Sequence, residues 1–164
     1  MKCVLLISLV ASVAAADPLA RRLTTIDDAP TKAELVELGG APRLLALTTP
    51  DNPFLVRRAA IAALAHFSTV EVRDALVALS GAGDASLRKT ALEALSFAFV
   101  DDVVAERALV SALRDETPMM RRAAIRGLAR RTTSTSLLAL EQQATTERDA
   151  ETRATLSQAL TSRR

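Results

Sequence analysis

One nine-residue helical stripe recurs four times at almost even spacing, and it constrains the fold more tightly than any other feature. The copies read Val56-Arg57-Arg58-Ala59-Ala60-Ile61-Ala62-Ala63-Leu64, Leu87-Arg88-Lys89-Thr90-Ala91-Leu92-Glu93-Ala94-Leu95 and Met120-Arg121-Arg122-Ala123-Ala124-Ile125-Arg126-Gly127-Leu128. A fainter copy is Thr152-Arg153-Ala154-Thr155-Leu156-Ser157-Gln158-Ala159-Leu160. Their leading arginines, at 57, 88, 121 and 153, lie 31, 33 and 32 residues apart. A fixed period in the low thirties predicts a stacked helical solenoid, in which each unit buries its apolar face only against its neighbours.

Shorter apolar helices are expected between the stripes, at 42–48, 70–79, 103–114 and 136–143. The chain therefore reads as four helix pairs over 41–67, 68–99, 102–132 and 134–162, preceded by a single helix at 31–38. Capping chemistry marks the helix starts. Thr31-Lys32-Ala33-Glu34 and Ser68-Thr69-Val70-Glu71 have capping-box spacing. Thr117 before Pro118 fits an N-cap followed by proline at the first helical position, and Gly39-Gly40 ends the opening helix. Within the stripes the apolar positions fall three and four apart, as one buried helix face requires. The last copy weakens this with Thr155, Ser157, Gln158 and Thr161, the polarity expected of a capping unit.

The first sixteen residues are of another kind. Lys2 is followed by an apolar run from Val4 to Val13 and by Ala14-Ala15-Ala16 before Asp17, the pattern of a cleavable signal peptide cut between Ala16 and Asp17. The run falls short of the roughly 20 residues needed to span a bilayer. A periplasmic or secreted location follows as an expectation. The remainder holds no cysteine, so no disulfide can brace it. Residues 17–30, with Pro18, Arg21, Arg22, Asp27, Asp28 and Pro30, carry no sustained apolar period and read as a flexible leader to a repeat domain at 31–164.

The helix pairs resemble HEAT-like repeats, in particular the short bacterial type also found in bilin lyases. In that family a proline enters the first helix, an aspartate sits in the turn, and Val-Arg or Val-Lys opens the second helix. Pro42, Asp51 and Val56-Arg57 follow that order, and Asp115 with Met120-Arg121 keeps the same six-residue step. Asp84 with Arg88 and Asp149 with Arg153 have a step of four, and the later pairs lack the proline. The resemblance implies an all-α, right-handed solenoid of the armadillo type, with the second helices lining its concave face. It says little about function, because such repeats host many roles.

The resemblance also implies that each leading arginine, Arg57, Arg88, Arg121 and Arg153, pairs with the turn aspartate of its own or the neighbouring repeat in a ladder, which makes Asp51, Asp84, Asp115 and Asp149 the partners. That ladder would be a stacking device. Arg58, Lys89 and Arg122 occupy the next position in each stripe, and Arg126 and Arg130 extend the row along one helix face. These five residues form a candidate basic stripe for an acidic protein segment.

Other functions find less support. With Lys2 removed, 20 basic residues face 19 acidic ones, and there is neither Trp nor Tyr to stack bases, so nucleic acid is not expected. His66 is the sole histidine and Cys3 the sole cysteine, which excludes a zinc site built on those ligands. No nucleophile elbow or phosphate-binding glycine loop is present among five glycines. The reading is a non-enzymatic protein-interaction scaffold of the bacterial cell envelope, without catalytic residues, cofactor or metal, and of undetermined oligomeric state. The alternatives are a structural piece that assembles end to end and, more remotely, a subunit of a bilin-lyase-like enzyme.

Overall fold

The computed structural model describes residues 17–25, 29–81 and 83–163. The segment read as a signal peptide, residues 1–16, lies outside the described residues, as do Asp27 and Asp28. Among the described residues there are ten α-helices and no strand. They are α1 Pro18–Thr24, α2 Lys32–Glu37, α3 Gly40–Leu47, α4 Phe54–Ala63, α5 Val70–Gly81, α6 Ala85–Ala98, α7 Val103–Ala112, α8 Pro118–Ala129, α9 Ser134–Thr146 and α10 Ala150–Thr161. A 3-10 turn, Leu64–His66, follows α4. The helix pairs expected from the repeat are therefore α3/α4, α5/α6, α7/α8 and α9/α10. The chain divides into two compact units, Met1–Phe67 and Ser68–Arg164.

In the first unit, α1 packs against α4, and α3 packs against both α2 and α4. The helix α1 corrects the expectation of a flexible leader over its own residues. Asp17 caps it by accepting from the Leu19 and Ala20 amides, Pro18 takes the first turn, and Leu19 and Ala20 are fully buried. Arg22 binds Glu34 and Arg43 binds Asp17 at 2.6 Å, tying α1 to α2 and α3. A two-turn helix is too short to show a helical period, which is why the sequence hid it. The folded first unit thus begins by Asp17 rather than at residue 31. Thr31 and Glu34 form the capping box of α2 as expected. Between α2 and α3 the chain turns at Gly39, whose φ of +112° suits only glycine, and whose absent Cβ would lie 2.9 Å from that of Arg43.

In the second unit the stripes form the buried faces of α6, α8 and α10. Leu92, Ile125, Leu128 and Leu140 are fully enclosed, and Leu109, Met120 and Leu156 join them in one core. The weakening of the last stripe has a structural counterpart. At the position of Leu92 and Ile125 stands Ser157, which is exposed, and Leu160 is only half-buried where Leu95 and Leu128 are enclosed. The expected capping box at Ser68 gives way to a cap on Thr69. Thr69 accepts from the Val72 amide, while the Ser68 hydroxyl donates to the Ala98 carbonyl.

Polar ties brace successive pairs at both ends of the second unit. At the turn within each pair, Arg88 of α6 meets Asp115, and Arg121 of α8 meets Glu147 at 2.8 Å. At the turns between pairs, Arg73 of α5 meets Asp102 at 3.1 Å, and Arg131 donates to the carbonyls of Phe99, Val100 and Asp102. Glu106 of α7 accepts from the hydroxyls of Thr133 and Ser136. A single change of register would break all of these together.

Candidate functional site

The leading arginines are structural in the second unit and divide by partner. Arg88 reaches the Ser80 carbonyl at 3.3 Å and the Asp115 carboxylate of the following pair. Arg121 makes a two-pronged contact with Glu147, with both N···O distances 2.8 Å, and donates to the carbonyls of Asp115 and Glu116. Glu147 accepts from Arg121, from the Asp149 amide and from the Gln143 side chain, and these bonds outweigh its burial to hold its pKa at about 2. The same contact raises the Arg121 pKa.

The expected Arg–Asp ladder therefore needs correction at most of its rungs. Glu147 takes the place expected of Asp149 because it lies six residues before Arg153, the step that Asp115 keeps before Arg121. Asp149 lies only four before and is the N-cap of α10, accepting from the Thr152 amide and hydroxyl. Asp84, with the same short step, likewise caps α6. In the first unit Arg57 donates to the Thr48 carbonyl, and Asp51 is exposed. Arg153 is exposed on α10.

The five residues of the candidate basic stripe also divide. Arg58 lies exposed on α4, in the first unit. The other four lie in the second unit, on α6, on α8 and at the C-terminal cap of α8. Lys89 pairs with Glu93 at 2.8 Å, and Arg122 reaches Asp149 and Glu151, each at 3.3 Å. Arg126 approaches Glu93 at 3.8 Å, with more than half its side chain in solvent. Arg130 has no carboxylate partner among the described residues. Its guanidinium lies 5.5 Å from the ring centroid of Phe97.

The charged row is thus partly neutralised near Lys89 and Arg122 and stays cationic towards Arg126 and Arg130. Two features here escaped the sequence reading. Glu93 is held between Lys89 and Arg126. Phe97 stands 61% exposed beside Arg130. A sign of this was available: the position nine residues after each leading arginine is His66, Phe97, Arg130 and Ser162, and only Phe97 is apolar.

The other buried charges are structural as well. Arg131 is 2% exposed, and burial lowers its pKa against the opposing pull of Glu106, Asp102 and Asp101. For Glu106 burial acts upward, but the hydroxyls of Ser136 and Thr133 and the charge of Arg131 bring the net shift below the ordinary value. In the first unit His66 is exposed and lines a cavity of about 360 Å³ with Leu23, Pro30, Ala59 and Ala62. Among the described residues no three His, Cys, Asp or Glu side chains gather as metal ligands, and no helix is long and apolar enough to cross a membrane.

Comparison with known proteins places this geometry. Residues 41–105 match a family model described as HEAT repeats, so the resemblance read from the turn and stripe residues holds over that segment. The fold is that of HEAT and armadillo-type solenoids. A chain in the complex of CpcE and CpcF of phycocyanin lyase from Nostoc sp. PCC7120 is 20% identical, with a TM-score of 0.67 over 95% of this chain and 98% of that one. A computationally designed armadillo repeat protein for modular peptide recognition is 18% identical, with a TM-score of 0.60 over 94% of this chain and 84% of that one. Another designed armadillo repeat protein, in complex with the peptide (KR)4, is 17% identical with a TM-score of 0.60, covering 96% of this chain and 85% of that one. At such identities the likeness bears on the fold alone. No curated protein matches the chain.

Proposed function

We propose that the chain is a non-enzymatic protein-interaction scaffold of the bacterial cell envelope, binding an acidic protein segment on the exposed face of α6 and α8. The observation that carries this reading is the cationic end of that face. Arg126 and Arg130 point into solvent one helical turn apart, and neither has a close carboxylate to itself. Helices already packed in a stack present such a face at little ordering cost on binding. The designed armadillo proteins of the same fold support a peptide ligand, and one of them is described with a basic peptide. On α6 and α8 the uncompensated charge is positive, which favours a ligand of the opposite sign. The envelope assignment rests on the signal-peptide pattern of residues 1–16.

Crosslinking in cells tests the reading. The wild-type chain is expected to capture a defined protein that Arg126→Glu with Arg130→Glu no longer captures. An unchanged set of crosslinked proteins would sink it.

A second reading is end-to-end assembly, and one observation favours it. Leu137 and Leu138 of the last pair are 39% and 55% exposed, at odds with a polar capping unit. Leu156, by contrast, is enclosed and unavailable for docking. If copies stack through this end, apparent size on a column rises with concentration, and Leu137→Ser with Leu138→Ser abolishes the rise.

A further inference from the structure

We infer that Phe97 and Arg130 form a recognition subsite for an extended segment bearing an apolar side chain followed by carboxylates at alternate positions. The inference rests on the reading of the α6–α8 face as the binding face, and it specifies what that face selects.

Phe97 is 61% exposed on a helix whose neighbouring Leu92, Ala94 and Leu95 are buried. The chain has only four phenylalanines, and Phe97 stands where the other stripes place His66, Arg130 and Ser162. Leaving such a ring largely in water forgoes much of the stabilisation that its burial would supply. Nothing in the packing of α6 requires an aromatic at that point. Arg130 lies 5.5 Å from the ring centroid, so its cation–π contact leaves the guanidinium N–H edge open to an acceptor. Phenylalanine and arginine are also both enriched in protein interfaces relative to the rest of the surface.

The neighbouring register sets the spacing of the ligand. Glu93 and Phe97 lie one turn apart on α6, and Arg126 and Arg130 occupy the corresponding turn of α8. The contacts Arg126–Glu93 and Arg130–Phe97 place the two rows side by side. Glu93 is already held at 2.8 Å by Lys89, so it does not neutralise Arg126 alone. Arg126 and Arg130 are separated by about 6 Å along the helix axis. Same-face side chains of an extended chain repeat at about 6.6 Å. Carboxylates at alternate residues therefore reach both arginines, and because the Phe97 ring lies 5.5 Å from Arg130, one further step of a segment that crosses towards α6 sets an apolar side chain over it.

Fluorescence anisotropy with the full chain and labelled peptides tests this. The probes are Leu-Ser-Asp-Ser-Asp, Ser-Ser-Asp-Ser-Asp, Leu-Ser-Lys-Ser-Lys and a thymidine oligonucleotide. Wild type is expected to bind the first about tenfold more tightly than the second, equivalent to about 1.4 kcal/mol, and to ignore the lysine peptide. Phe97→Ala is expected to erase the preference for Leu over Ser while leaving weak acidic binding. Arg130→Lys, which keeps the charge but loses the planar fork, is expected to weaken the first peptide. Both side chains are solvent-facing, so circular dichroism of the variants should match wild type.

Equal affinity for the first two peptides, or a preference that survives Phe97→Ala, overturns the subsite. Tighter binding of the oligonucleotide overturns it too. If both acidic peptides bind equally and Arg126→Glu abolishes that binding, the subsite falls while the scaffold reading stands. If no peptide binds, the subsite falls, and if the crosslinked set is also insensitive to Arg126→Glu with Arg130→Glu, both fall.

Discussion

Arg121 and Arg122 are adjacent in the chain and are held in different ways. Arg121 forks onto the enclosed Glu147 carboxylate, whereas Arg122 shares two carboxylates that lie nearer the solvent. Burial sets the consequence, because a fixed pair away from water resists protonation far better than a surface pair. The Glu147 pKa lies at about 2, below its ordinary 4.5. A depressed carboxylate stabilises the fold above its unfolded pKa and loses that contribution as pH falls through the folded value. The gap corresponds to roughly 3 kcal/mol at neutral pH, lost between about pH 4.5 and 2. Glu147→Gln is therefore expected to lower the urea midpoint at pH 7 and to flatten its decline in that acid window. Parallel slopes for variant and wild type would contradict this account.

Arg131 offers a second test at the same scale. It supplies donors to three backbone carbonyls of the α6–α7 turn from a position 2% exposed. Arg131→Met keeps the bulk and removes the donors, and is expected to cost about 2–4 kcal/mol in thermal or urea unfolding. A change below about 0.5 kcal/mol, the range of ordinary surface positions, would show that water replaces the guanidinium.

At the scale of the element, the four stripes share one position that must stay small. Ala63, Ala94, Gly127 and Ala159 each lie six residues after the leading arginine, and all four are buried. At Gly127 the approach is closest. A Cβ there would lie 2.7 Å from Leu109 Cδ2 and 2.8 Å from Ser96 Cβ, so α8 sits too near α6 and α7 for even a methyl group. Glycine inside a helix costs up to about 1 kcal/mol relative to alanine, which favours Gly127→Ala. Overpacking costs about 1–3 kcal/mol and opposes it. The clash at Ser96 involves a Cβ fixed to its helix backbone, so overpacking is expected to win, and Gly127→Ala should lower Tm. A raised Tm would mean that the three helices can separate without loss. The stripe made this position legible as small, but the repeat alone does not say which copy packs tightest.

At the scale of the whole molecule, what the sequence revealed follows what repeats. The helix pairs, their boundaries and the apolar faces were legible because each recurs with the same spacing. Two features occur only once: the short α1, and Phe97 on a polar position. Comparison within the chain is silent on α1 and marks Phe97 only as the apolar exception at its position. The candidate site lies among these, since its arginines were legible as a row and its aromatic was not. The ladder failed at particular rungs for a related reason. Family spacing named the aspartates, but a carboxylate six residues before the arginine reaches the preceding pair, and one four residues before caps a helix.

The same stacking logic yields a graded prediction for the second unit. Helix α8 packs against α6, α7, α9 and α10, whereas α10 packs mainly against α8 and α9. The last stripe has also lost an enclosed side chain at Ser157 and part of another at Leu160. In a stack held by nearest neighbours, local opening costs least where the interfaces are fewest and most polar. Amide hydrogen exchange should therefore be slowest in α6 and α8 and fastest in α10, with the α10 amides opening at a free energy below that of α8. Uniform protection across α5–α10 would show instead that the polar ties at both ends make the unit open as one piece.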